Sequence, residues 1–323
     1  MLPGTNVGKR DKSLGRAGPL RRMAGLCPAA LFARSPVVDQ LTILAPGLLG
    51  ASVAMAARRF GAARRIVVWA RRPEVRVQLE ALPWCDAVCA TPEEAARGAS
   101  LVVICSPVES IPSLAAAIRP HLPAGAVVTD VGSVKGELCR RATADYPAVD
   151  GAPVFVGSHP MAGSEKTGHE AGTAELFQGR VCFVTPLADT PPAAVEGLVR
   201  FWHMLGCEVV TMHPDRHDEI VAHVSHLPHL AAVGLCALLA GKNPDWRNLA
   251  GPGLRDTTRI ASGDPKLWRG ILDANRDEVL RALRAYQDEL QAIHAALANR
   301  NDLELIAILE RSKAWRDKLR LLP

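Results

Sequence analysis

Four short apolar runs, spaced between stretches of helical character, constrain this chain more than any other feature. They lie at residues 40–44, 66–70, 101–105 and 126–130 and are rich in Val and Ile. A run that is continuously apolar and bounded by turn residues reads as a strand buried on both faces. Such strands alternating with helices build an α/β fold, a mostly parallel sheet with helices on both sides. Two later runs, Val181–Thr185 and Glu208–Thr211, extend the strand signal. After about Pro214 it stops, and residues 215–240 and 266–319 read as helices. Within the second stretch Val279, Leu280, Leu283, Tyr286, Leu290 and Ile293 recur at the spacing of one helix face. The expected division is a disordered basic tail over 1–38, an α/β unit over 39–214 and an all-helical unit over 215–323.

Charge and cysteine content narrow the class. The net charge is +5. Residues 1–38 hold Lys9, Arg10, Lys12, Arg16, Arg21, Arg22 and Arg34 against the single acid Asp11, a net of +6, so the remaining chain is at about −1. A near-neutral body with 4% aromatic residues carries no nucleic-acid footprint. No uninterrupted apolar run approaches the ~20 residues of a membrane span, so no membrane partner is expected. The eight cysteines are scattered, with no paired spacing for zinc and no disulfide framework, which fits a reducing cytoplasm.

The first run leads into Ala45-Pro46-Gly47-Leu48-Leu49-Gly50 and then a helix. A glycine turn between strand and helix is where a dinucleotide pyrophosphate is cradled, on helix N–H groups and closely approaching backbone. Gly47, Leu48, Leu49 and Gly50 are the candidate cofactor contacts. The first glycine of the G-x-G-x-x-G pattern is replaced by Ala45, and Pro46 removes a backbone donor. At the end of the second run stands Trp69-Ala70-Arg71-Arg72, with no acid to hold a ribose 2′-hydroxyl. Arg71 and Arg72 instead suit a 2′-phosphate, so the expected cofactor is NADP, with NAD as the alternative.

Residues 157–168 read Gly-Ser-His-Pro-Met-Ala-Gly-Ser-Glu-Lys-Thr-Gly. Gly is costly in a helix interior, and the stretch reads as a tight loop presenting polar groups. His159 there is either a turn residue or a site. Five histidines, at 213, 217, 223, 226 and 229, crowd into 17 positions. Pro214 and Pro228 are expected to break their helical spacing, and no metal site is assigned. On these residues alone the chain could be one of several nucleotide-dependent dehydrogenases, acting for example on a β-hydroxy acid or an imine. It could equally be a non-catalytic dinucleotide-binding regulator.

Four further segments narrow the choice. Cys105-Ser106-Pro107-Val108 follows the third run and Asp130-Val131-Gly132-Ser133-Val134-Lys135 the fourth. Ser225-His226-Leu227-Pro228-His229 opens the helical half, and Leu254-Arg255-Asp256-Thr257-Thr258-Arg259-Ile260-Ala261 precedes Asp264-Pro265-Lys266-Leu267-Trp268. Together with the 157–168 stretch, their order and spacing over 40–320 resemble the prephenate/arogenate dehydrogenase family of tyrosine biosynthesis. The resemblance implies a Rossmann-type domain followed by a helical substrate and dimerisation domain, and a homodimer formed through the latter. It implies oxidative decarboxylation of a cyclohexadienol, with hydride transfer to NAD(P)+. His159 would take the hydroxyl proton, Ser133 would hydrogen-bond the same hydroxyl, and Arg259 would anchor a substrate carboxylate. Ser164, Glu165, His229, Asp256 and Trp268 would line the substrate pocket, with Glu165 a partner for Arg259 and Asp256 a tether for its segment. Ser106 and Pro107 would border the cofactor.

Overall fold

The structure is a computed structural model that describes residues 37–146, 149, 151–163 and 166–319. The tail expected over residues 1–38 lies outside this range but for its last two residues, and the first strand already begins at Val38.

β1 (Val38–Leu44) is followed by α1 (Leu48–Arg59), β2 (Ala63–Trp69), α2 (Pro73–Glu80), β3 (Ala87–Val88) and α3 (Pro92–Ala96). Next come β4 (Leu101–Ile104), α4 (Ile111–Ile118), β5 (Val127–Asp130), α5 (Gly136–Thr143) and β6 (Val154–Phe155). These six strands form one sheet in the order β3-β2-β1-β4-β5-β6, parallel throughout. The chain winds outward from β1 in one direction and then restarts at β4 in the other. That reversal opens a crevice above the carboxyl ends of β1 and β4. Leu41, Ile43, Ile66, Val68 and Val103 are fully buried. Each contributes about 1.5–3 kcal/mol by leaving water. The short edge strands β3 and β6 are too brief to register in the sequence pattern.

The later strands depart from the sequence expectation. β7 (Gly157–Pro160), β8 (Val181–Thr185) and β9 (Glu208–Thr211) form a second, three-stranded sheet rather than extending the first. β7 runs antiparallel to β8, and β9 runs parallel to it, after α6 (Pro192–Met204). The first residues of the expected polar loop are therefore a buried strand, with His159 opposite Phe183. The small side chains that read as loop chemistry serve packing. A Cβ on Gly157 would lie 2.6 Å from Thr185 Oγ1 and 3.0 Å from Lys135 Cδ, so only glycine lets β7 approach.

The helical half holds α7 (Pro214–Val221), α8 (Leu227–Ala240), α9 (Pro252–Thr258), α10 (Pro265–Ala274), α11 (Arg276–Ala298) and α12 (Asp302–Asp317). Pro214 separates His213 from His217 as expected, since His213 is the extended N-cap of α7, whereas Pro228 does not end the helix. Pro214 occupies the first turn of α7, where a missing N–H costs nothing. Pro228 is absorbed by a widened π-type turn at Ala222–His226, in which the Leu227 N–H reaches back to Ala222 O. The combined helix Pro214–Ala240 has 27 residues and a window of mean hydropathy 1.4, long and apolar enough by composition to cross a membrane. The count of uninterrupted apolar residues missed it, because Asp215, Arg216, Asp218 and Glu219 interrupt its first turns.

Candidate active site

The crevice at the β1/β4 switch is a cleft of about 700 Å³, bordered by Ala45, Gly47, Arg71, Arg72, Ser106 and Pro107. Ala45 keeps the left-handed turn that the glycine pattern calls for, at φ 62°, and its Cβ makes this conformation cost about 1–2 kcal/mol. The N-terminus of α1 has no side-chain cap and no acid in its first turn. Its leading N–H groups, those of Leu48 and Leu49 among them, have no partner within the helix and suit a phosphate. Gly50 is fixed by contact: a Cβ there would lie 3.0 Å from Ile43 Cγ2 and 3.2 Å from Cys105 Sγ. Arg71 and Arg72 are exposed at the cleft edge, and Arg76 braces their turn by donating to the carbonyls of Ala70 and Arg71. These residues fit a dinucleotide.

His159 is 7% exposed, and its Nδ1 lies 2.9 Å from Nε2 of His217. His217 is fully buried on α7, and its Nδ1 lies 2.7 Å from Asp218 Oδ1. The Asp218 carboxylate also accepts the backbone N–H of Lys135 and that of Gly136, each at 2.7 Å, at the N-terminus of α5. Phe183 packs edge-on against His217, at 5.1 Å between ring centroids, and tilted against His159, at 6.3 Å. Three elements therefore hold one imidazole. β7 carries it, α7 supplies the partner ring and carboxylate, and α5 anchors the carboxylate.

Beneath this chain lies an ion pair. Lys135 and Asp130 have fully buried side chains, and the Lys135 ammonium donates to Asp130 Oδ2 and to Val134 O. Asp130 also accepts the N–H groups of Gly132 and Ser158, and its own carbonyl accepts the Ser158 hydroxyl. It thereby stitches the end of the parallel sheet to the start of β7. Burial pushes the Asp130 carboxyl up, against the pull of Lys135 and those two N–H groups.

The residues expected on the substrate side divide. Ser133 is half-buried in the segment between β5 and α5. His229 is buried and stacks flat on Trp268, with centroids 3.5 Å apart and planes within 6°. Both border a second cleft of about 610 Å³ between α8, α10 and α11. Arg259 is exposed on a 3-10 turn after α9, and Asp256 is exposed one turn before it. Among the described residues no ion pair joins Asp256 to Arg259, and both residues are exposed. Ser164 and Glu165 lie outside the described residues. The sequence reading missed His217, Asp218, Lys135 and Asp130. The Asp-x-x-x-x-Lys spacing at the end of β5 was the available signal for the last two.

Burial is the first cause that lowers His159 and His217 well below the ordinary imidazole value of 6.5 and His226 to about 4. The positive charge of Lys135 adds to this for His159 and His217, whereas Asp218 pulls His226 back up. All three are neutral in the folded chain where free histidines would begin to charge. The unfolded state therefore binds more protons below about pH 6.5, and stability is lost as pH falls through that window. Asp130 and Asp218, raised by burial, work in the opposite sense but are outnumbered. The thermal midpoint is expected to be level above about pH 7 and to drop by pH 5. An unchanged midpoint over that range would contradict the buried neutral histidines.

A parallel sheet in this strand order, a phosphate-ready crevice at its switch point and a buried neutral histidine supported by a carboxylate define a dinucleotide-dependent oxidoreductase. Residues 53–211 match the family model for the nucleotide-binding domain of prephenate dehydrogenase, and residues 213–311 match that for its dimerization domain. The chain belongs to the prephenate dehydrogenase family. It is 32% identical over 285 residues to the cyclohexadienyl dehydrogenase of Zymomonas mobilis, covering 87% of this chain and 96% of that protein. Prephenate dehydrogenase of Aquifex aeolicus, solved with hydroxyphenyl propionate and NAD+, superposes with a TM-score of 0.80 at 30% identity, over 87% of this chain and 98% of that one. Arogenate dehydrogenase of Synechocystis gives a TM-score of 0.76 at 27% identity, over 86% and 99%.

Proposed function

We propose that this chain oxidatively decarboxylates a cyclohexadienol carboxylate, prephenate or arogenate, with NADP+ preferred over NAD+. The nicotinamide, when bound, supplies the hydride acceptor. The observation that carries the reading is His159, a neutral, buried imidazole on the strand beside the cofactor-binding sheet. As the hydride leaves the carbinol carbon, the hydroxyl proton passes to His159 Nε2. The ring carboxylate departs as CO2, its bonding pair aromatises the ring, and His159 returns the proton to the phenol oxygen. Ser133 orients the hydroxyl, and Arg259 pairs with a substrate carboxylate, a contact that gives both charge and direction. His229 and Trp268 form a flat wall for the substrate, and Leu48, Leu49 and Gly50 hold the pyrophosphate. Initial rates with each of the two substrates and each of the two cofactors test the reading. Failure of both substrates with both cofactors would sink it.

Cofactor preference is carried by Arg71 and Arg72, cations where an acid would select NAD. Arg71→Ala or Arg72→Ala is expected to raise KM for NADP+ roughly tenfold and leave that for NAD+ within about twofold. Equal effects on both cofactors would remove this assignment.

The division near residue 214 follows the change from strand to helix, and the helical half is the proposed dimer contact. Leu238, Leu280, Leu290, Leu297, Ile306 and Leu309 are exposed there, more apolar surface than a lone unit of this size needs. Light scattering is expected to give twice the chain mass at micromolar concentration; the mass of a single chain would contradict it. The seven described cysteines are free thiols, which fits a cytoplasmic site of action.

A further inference from the structure

We propose that His217 and Asp218 are positioning residues that lock His159 in the single tautomer able to act as a base. The inference rests on His159 being the base in the reaction proposed above. Its geometry can be followed atom by atom. The Asp218 carboxylate already accepts two backbone N–H groups, so toward His217 it can only accept, and His217 Nδ1 carries the proton. His217 Nε2 is then a lone pair and must be the acceptor in its contact with His159. His159 Nδ1 therefore carries the proton, which leaves Nε2 bare. Each link in the chain fixes the next, and the first is set by the backbone of α5, not by a mobile side chain.

The anchor is built with little tolerance. A Cβ on Gly136 would lie 2.9 Å from Asp218 Oδ2, so a glycine at that position admits the carboxylate. The Asp218 carbonyl accepts from the Asn275 side chain at the start of α11, which also reaches His226 Nδ1 at 3.2 Å. α5 thus holds the Asp218 carboxylate, while α11, through Asn275, holds its backbone carbonyl and ties it to the π-type turn. When His159 Nε2 takes the hydroxyl proton, its Nδ1–H bond to His217 becomes charge-assisted and the imidazolium is stabilised through His217 by Asp218. The same proton returns to the phenol oxygen, so no net charge stays on the chain. The titratable groups that act on the two rings are Lys135 at the start of α5, His226 in the π-type turn and Asp218 on α7, with Cys182 on β8 against the His159 backbone.

The test compares His217→Leu and His217→Gln in the full chain, with prephenate or arogenate, whichever the wild type turns over. Leucine offers no acceptor, so His159 is free to place its proton on Nε2. kcat is expected to fall roughly 100-fold with KM within about twofold. Glutamine can accept the Nδ1–H through Oε1 and is expected to recover most of that loss, to within about tenfold of wild type. A purely structural role would affect both variants alike. Nitrogen NMR of the wild-type ring nitrogens gives a second readout that does not depend on a variant folding, and it is expected to show His159 protonated at Nδ1 at neutral pH. A His159 protonated at Nε2, or wild-type kcat in His217→Leu, overturns the relay. If either result came with a wild-type enzyme that turns over its substrate and a His159→Asn variant that does not, the proposed reaction would stand without the relay. A wild type inactive on both substrates would overturn both.

Discussion

His159→Asn is expected to lower kcat by about 10³-fold while KM moves by no more than a few-fold. The asparagine amide can donate to His217 Nε2, as the imidazole does, so the packing of β7 on α7 survives. It cannot take a proton from the substrate hydroxyl. The lost interaction is one made only as the hydride leaves, and such a loss appears in kcat rather than in binding. Burial and the nearby Lys135 keep the free imidazole neutral well below its ordinary range, so the base is ready at neutral pH and below. Steady-state kinetics on the purified variant measure the effect. A variant with wild-type kcat would move the base elsewhere.

Lys135→Met is expected to destabilise the fold by about 3–5 kcal/mol, because it leaves the Asp130 carboxylate buried without its cation. Two consequences follow from position. Asp130 ties β5 to β7 through Ser158, so the strand that carries His159 loosens with it. The Lys135 backbone N–H also holds Asp218, so the far end of the histidine chain shifts as well. For a chain of this size the loss corresponds to roughly 10 °C in the thermal midpoint. Adding Asp130→Asn removes the orphaned charge and is expected to recover part of the difference. A melting curve for Lys135→Met within a degree or two of wild type would mean the pair contributes little.

The parallel sheet was legible because each of its central strands is a continuous apolar run, and that pattern has few other readings. The edge strands β3 and β6 were not, since two residues carry no periodicity. β7 was misread for a different reason. Gly157 and Ser158 look like loop residues, yet Gly157 is small because Lys135, Cys139 and Thr185 press against that strand, and the Ser158 hydroxyl bonds Asp130 and Thr129, demands set by residues distant in sequence. The helix through Pro228 was legible as part of the 215–240 stretch, but the wider turn that makes room for the proline was not, because a proline normally ends a helix. Within the proposed site, His159, Ser133, His229 and Trp268 were named from the order of motifs. His217 and Asp218 could not, because their chemistry depends on where α7 crosses the N-terminus of α5. Asp256, placed by the resemblance as a tether for the Arg259 segment, is exposed on α9.

The most direct test of the account is the stoichiometry of products from the wild-type enzyme. Incubated with prephenate or arogenate and NADP+ or NAD+, it is expected to release CO2 and reduced nicotinamide in equal amounts, together with a phenolic product, and His159→Asn is expected to release neither at a comparable rate. Reduced nicotinamide without CO2, or no reduction with either substrate and either cofactor, would contradict it.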